Sequence, residues 1–197
     1  MITTLIDSPV ANTANIARAL RAVGAELHVT RDPNEIAGAA KLVLPGVGSF
    51  VAAMQWLRET GIDAAIGDAV ARDASLLGIC VGHQLLFDES EEMTSTRGLG
   101  LLRGAVRRFE GALPVPQIGW NGVATQGPLF DGIASGTPFY FVNSYAVRGA
   151  DDEIASAEYN GRFTAAVQRE RVFGVQFHPE KSSTAGLRVL RNFVACR

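Results

Sequence analysis

Cysteine is scarce in this chain, and so are histidine, long apolar runs and blocks of like charge. Only Cys80 and Cys196 occur in 197 residues, too few for the disulfide framework of a small secreted domain. No apolar run approaches the eighteen or so residues of a membrane span, and Met1 to Val10 lacks the basic and apolar regions of a secretory leader. The expectation is a soluble, cytoplasmic protein. Eighteen Lys and Arg against twenty Asp and Glu leave a formal net charge of −2, and the basic residues are scattered, so nothing marks a nucleic-acid surface. Internal repeats and low-complexity tracts are absent. With three histidines in all, any chemistry that needs an imidazole has few candidates.

What is present is 47% hydrophobic residues, enough for one well-cored domain over residues 1–197. Ile2 to Ile6 reads as a strand, and Ile16, Ala19, Leu20 and Val23 mark a helix from Asn12 to Val23, with Gly24 at C′. Leu27 to Thr30 and Lys41 to Leu44 read as further strands. Ser49 is placed as N-cap of a helix to about Glu59, and Ile62 to Ala71 reads as another helix. After Ser90 the pattern changes to short strand-like runs separated by glycine and proline: Val106 to Phe109, Phe139 to Val142, Ile154 to Tyr159, Phe163 to Gln168 and Val172 to Phe177. Thr184 to Val194 closes as an amphipathic helix. The pattern predicts an α/β fold: an open, mostly parallel, doubly wound sheet with flanking helices and an added antiparallel β layer. Such sheets bind ligands at the carboxyl ends of their strands.

The most informative stretch is Ser75 to Glu89. Leu76 and Leu77 lead into Gly78-Ile79-Cys80-Val81-Gly82, then into His83 to Phe87, which reads as strand, tight elbow and helix with a cysteine at the apex. Glycines two places on either side let backbone crowd such an elbow, and the helix N-terminus points its free N–H groups at the sulfur. A lone cysteine in an apolar run is also an ordinary core residue. The second stretch, Val172 to Glu180, shifts the balance, because a strand there ends in His178-Pro179-Glu180. Proline holds His178 extended, and residues i and i+2 of an extended chain share a face, so Glu180 can meet the imidazole. Nucleophile, base and orienting carboxylate are then present as Cys80, His178 and Glu180.

His83 is a rival base, three residues from Cys80; as a Cys-x-x-His metal pair it lacks a second pair of ligands. His28 falls mid-strand and reads as structural. Cys196 reads as part of a frayed terminus, without a role. Oxyanion donors are expected from the Val81 N–H and from the Gly46-Val47-Gly48 segment, with Val47 and Gly48 as candidates. A phosphate-binding reading of that loop fails on Val51, which stands where G-x-G-x-x-G needs its third glycine.

Together, Gly78-Ile79-Cys80-Val81-Gly82-His83-Gln84 and Phe177-His178-Pro179-Glu180 resemble the paired signatures of the class I (triad) glutamine amidotransferases, over nearly the whole chain. Within them, Pro45-Gly46-Val47-Gly48, Gly119-Trp120-Asn121, Phe139 to Tyr145 and His178 to Ser182 resemble the glutaminase subunits of imidazole glycerol phosphate synthase, of the histidine pathway. The resemblance implies hydrolysis of L-glutamine through a γ-glutamyl thioester, without metal or organic cofactor, and delivery of ammonia to a cyclase subunit in a heterodimer. It implies that Gln84 and Glu92 hold the amino-acid end of glutamine, and that Gly48, Ser144 and Tyr145 give backbone contacts. Asn12, Trp120, Asn121 and Lys181 match positions facing the cyclase. Each also has a plain reading: Lys181 solvated, Trp120 core, Glu92 part of an acidic run at a helix end, Asn12 and Asn121 ordinary polar residues.

Some residues depart from the family pattern. Asn143 and Gln117 stand where the family usually has His, and His83 where it usually has Met. The opening Asp7-Ser8-Pro9-Val10-Ala11-Asn12 lacks the usual glycines. These touch the substrate lip and the partner face while leaving Cys80, His178 and Glu180 intact. The rival readings are an amidotransferase serving another synthase, a partner-free γ-glutamyl hydrolase, and a catalytically silent binding subunit.

Overall fold

A computed structural model describes residues 1–9 and 12–196. Val10 and Ala11, in the glycine-poor opening loop, lie outside the described residues. The elements run β1 (Thr3–Ile6), α1 (Thr13–Ala22), β2 (Leu27–Thr30), α2 (Pro33–Ala37), β3 (Lys41–Gly46), α3 (Phe50–Thr60), α4 (Ile62–Ala71), β4 (Ser75–Cys80) and α5 (Val81–Gln84). There follow β5 (Phe87–Ser90), β6 (Thr96–Arg97), β7 (Leu102–Arg108), β8 (Gln117–Gly122), β9 (Ala124–Thr125), β10 (Pro138–Asn143), β11 (Tyr145–Ala146), β12 (Glu153–Glu158), β13 (Arg162–Arg169), β14 (Val172–Val175) and α6 (Ser183–Ala195).

An eight-stranded sheet in the order β2-β1-β3-β4-β14-β13-β12-β9 carries the fold. Its first five strands are parallel, and β13, β12 and β9 extend it antiparallel. β1, β3, β4 and β14 are buried along their whole length, as strands covered by helices on both faces must be. Some of the late strands thus extend the sheet, and others form two small sheets, β10-β8 and β11-β7-β5-β6. The second of these includes a parallel pair, β5 with β7, so the added layer is not purely antiparallel.

Several local expectations shift. The helix read through Phe87 is a single turn that stops at Gln84, and Phe87 opens β5. Leu85, Leu86 and Phe87 are all buried, and a continuously apolar run carries no period to tell helix from strand. Asp88 to Ser90 are accordingly strand, not a helix end. β14 stops at Val175, short of Phe177. Ser49 occupies the N-cap of α3 but makes no side-chain capping bond. Cys196 is not frayed: Lys41, 1% exposed, donates from Nζ to the carbonyls of Phe193 at 2.9 Å and of Val194 and Cys196 at 2.6 Å. A buried ammonium there satisfies carbonyls that the end of α6 leaves open.

A cluster of phenylalanines supports the chain just beyond β14. Phe177 stacks on Phe139 at 4.2 Å between centroids and meets Phe141 edge-on at 5.8 Å. Immediately after it, the His178 N–H donates to Tyr140 O at 2.9 Å, and Ser182 Oγ donates to His178 O at 2.6 Å. The His-Pro-Glu turn is therefore fixed from below by packing and from the side by β10.

Candidate active site

β4 ends at Cys80 with its backbone at φ 55°, ψ −111°, a left-handed conformation that costs a side-chain-bearing residue energy and persists only where the surroundings enforce it. Here the surroundings are glycines. A Cβ on Gly82 would overlap the Leu44 carbonyl oxygen, and one on Gly78 would overlap the Gly82 carbonyl. The elbow closes because neither has one, and the sulfur is presented at the carboxyl end of the parallel strands.

β14 lies beside β4 in parallel register, with Val175 opposite Ile79, so the chain beyond β14 delivers His178 to Cys80. His178 Nδ1 is 2.9 Å from Glu180 Oε1, and the two side chains are 4% and 2% exposed. Burial alone would push the imidazole down. The Cys80 sulfur beside the ring and the Glu180 carboxylate bonded to it outweigh burial and raise His178 to about 10. A histidine raised this far keeps its proton at neutral pH.

A cleft of about 490 Å³ opens over this group, lined among others by Asn12, Val47, Gly48, Cys80, Val81, Gln84, Glu92, Asn143, Ser144, Tyr145, His178 and Lys181. The structure therefore brings together most of the residues singled out from the sequence. Gln84 Nε2 donates to Tyr145 O and to Gln176 Oε1, each at 2.9 Å, which leaves its own oxygen to accept from a ligand. Glu92 Oε2 accepts from the Phe50 N–H at 2.6 Å. Trp120 and Asn121 lie outside the cleft lining. Trp120 is 55% exposed, not core, and meets Tyr140 edge-on, while the Lys181 ammonium sits 5.8 Å from the same Tyr140 ring. Asn121 is tied to Glu158 O at 2.9 Å, and Asn12 caps α1 through Asn15 N–H.

His83 and His178 part company. His83 is fully buried, edge-on to Phe87, with no partner on either nitrogen among the described residues, and burial pushes it down to about 3. It lies under the elbow, on the side where Gly174 leaves room for its ring, and is not a cleft residue. His28 pairs with Glu35 at 2.8 Å on the surface. One residue that sequence reading passed over is Gln176. It is fully buried, holds Gln84, and directs Nε2 at Cys80 Sγ from 4.0 Å. Its signal was an amide in an otherwise apolar stretch, Val172 to Phe177.

The family model described as glutamine amidotransferase class-I matches residues 4–196. The chain belongs to the class I glutamine amidotransferases. Among its relatives in this family, a protein of Moorella thermoacetica named imidazole glycerol phosphate synthase subunit HisH is 46% identical over 96% of this chain and 92% of its own length. One of the same name from Symbiobacterium thermophilum is 48% identical over 96% and 91%. Among solved structures, a glutamine amidotransferase superposes with a TM-score of 0.77 at 21% identity, covering 97% of this chain and 96% of the other. PurLQS from Thermotoga maritima superposes at 0.74 and 19% identity, covering 98% of each. At these identities the solved structures speak to the amidotransferase fold alone.

Proposed function

We propose that this chain is the glutaminase subunit of imidazole glycerol phosphate synthase, a single glutamine amidotransferase domain acting in the cytoplasm. It would supply ammonia to a cyclase subunit for formation of imidazole glycerol phosphate and aminoimidazole carboxamide ribonucleotide in histidine biosynthesis. The observation that carries the chemistry is Cys80 and His178 together on the cleft wall, with Glu180 bonded to the far nitrogen of His178, in a chain of this family. The names of its 42–48% identical relatives carry the pathway.

Cys80 Sγ attacks the side-chain carbonyl carbon of glutamine, forming a C–S bond and a tetrahedral oxyanion. The Val81 N–H and the Val47–Gly48 segment supply its donors. His178 gives its proton to the amide nitrogen, the C–N bond breaks, and ammonia leaves. Water then attacks the thioester carbonyl while His178 takes its proton, and the C–S bond breaks to release glutamate. Glu180 orients the ring and balances its charge throughout. At the other end of the substrate, the Gln84 oxygen and Glu92 accept from the α-ammonium group, and the backbone of Gly48, Ser144 and Tyr145 contacts the rest of the amino-acid end.

The cyclase docks over the mouth of the cleft. Supporting this are the exposure of Trp120 and of Ile118, 65% exposed on the same face of the same strand, and Lys181 and Asn12 at the cleft rim. The test is glutamate release from glutamine by the wild type and Cys80→Ala, alone and with the cognate cyclase and its ribulosyl carboxamide nucleotide acceptor. Cys80-dependent release raised by the loaded cyclase is expected. Release indifferent to that partner redirects the chain to another synthase, and no release under any condition would mark a binding subunit.

A further inference from the structure

The hydrogen bond between Glu92 and Phe50 plays no part in the scheme above. Phe50 opens α3, where the first N–H groups have no partner within the helix, and Ser49, placed to cap them, makes no capping bond. A carboxylate from a distant segment does this instead, at 2.6 Å, and an anion is well placed at such a terminus.

The segment just before Phe50 is the proposed oxyanion loop, and it hangs between two anchors. At one end a Cβ on Gly46 would crowd the Gly82 N and the Val81 side chain, so the backbones are in close contact. At the other, the Phe50 side chain is fully buried and its N–H is held by Glu92. Between them Gly48 is exposed, with φ +81°. Glu92 is itself steadied, its own N–H donating to Ser90 Oγ at 3.1 Å, and it lines the cleft. A carboxylate has two acceptor oxygens; with Oε2 on Phe50, Oε1 remains for a cation in the cleft.

We infer that Glu92 is a positioning residue for the Val47–Gly48 segment as well as a contact for the substrate's α-ammonium group. The carboxylate that reads the amino-acid end of glutamine then also sets the oxyanion donors at the reacting end. This rests on the glutaminase reading of the cleft. Its consequence is kinetic: a contact that binds ground and transition states equally alters KM, whereas a displaced oxyanion donor lowers kcat.

Two variants separate the functions of the carboxylate. Glu92→Gln keeps an oxygen in reach of Phe50 but removes the charge; Glu92→Asp keeps the charge but withdraws it by one methylene. Steady-state glutamate release would be measured for both and for the wild type with the loaded cyclase, alongside thermal melting of each. Glu92→Gln should raise KM about tenfold or more through the lost charge-assisted bond, with kcat within about threefold of the wild type. Glu92→Asp should lower kcat about tenfold or more, as a misplaced oxyanion donor does, with the smaller change in KM. A kcat for Glu92→Asp equal to or above that of Glu92→Gln overturns the inference and leaves Glu92 a substrate contact alone. Wild-type protein that releases no glutamate overturns the glutaminase reading itself, and the inference with it.

Discussion

Replacing His83 with methionine should stabilise the protein, and by an amount that grows as the pH falls. The ring is fully buried with no partner on either nitrogen among the described residues, and an unsatisfied buried polar group costs about 1–3 kcal/mol. Methionine is unbranched and adaptable enough to fill the space beside Phe87 and Gly174, so the gain at pH 7 should be of that order. Ionisation adds a second part. With His83 held down to about 3 in the fold and about 6.5 in the unfolded chain, the imidazole is mostly neutral in both states at pH 7 and contributes little slope there. Below about 6.5 only the unfolded chain takes up the proton, so the wild type loses about 1.4 kcal/mol per pH unit until the folded value is reached. His178, raised in the fold, and the carboxylates are present in both proteins, so their contributions cancel in the difference. At pH 5 the advantage of His83→Met should exceed that at pH 7 by about 2 kcal/mol. Urea unfolding of both proteins at pH 7, 6 and 5 measures it directly. A difference independent of pH would refute the reasoning, since it would mean that the ring is not a neutral, desolvated group in the fold.

Three further outcomes follow from other parts of the structure. Removing the charge with Glu180→Gln should lower the pKa of His178, so the alkaline limb of kcat/KM, expected near 10 in the wild type, should move to lower pH; a pH–rate profile checks it. Lys41→Met leaves the last carbonyls of α6 without their cation and should cost about 2–3 kcal/mol, seen as a lower urea midpoint and faster amide exchange in the last turn of α6. Trp120→Ala should weaken association with the cyclase by about 2 kcal/mol or more if the exposed ring is an interface anchor, while unstimulated glutaminase activity stays near that of the wild type; titration calorimetry with the cyclase measures the first.

How legible these features were in the sequence followed the strength of the local signal. α4 was readable to the residue because Ile62, Ala65, Ile66 and Ala69 repeat on one buried face, and the elbow glycines and the proline-held turn marked Cys80 and His178-Pro179-Glu180 as a pair of segments that would meet. α2 was missed because it is five residues long with one buried apolar residue, Ile36. β8 was missed because Gly119 and Gly122 dilute its β-propensity and only Gln117 in it is buried. Gln176 could not be read from spacing, since alternation gives a face but not the partners that make a buried amide worthwhile. Nor could the bond from Glu92 to Phe50 be read, although Glu92 was named for the substrate, because it joins segments that only the closed fold brings together.

The position of β14 has a consequence for the protein's synthesis. This strand comes late in the chain yet sits in the interior of the sheet, with β4 on one side and β13 on the other. The cysteine can emerge from the ribosome and reach its elbow long before the strand that brings its acid and base exists. On the proposed mechanism, a nascent chain holds an unassisted thiol and cannot consume glutamine until that strand threads into place. Activity and completion of the fold thus arrive together, and a truncated or half-folded chain is silent rather than wasteful.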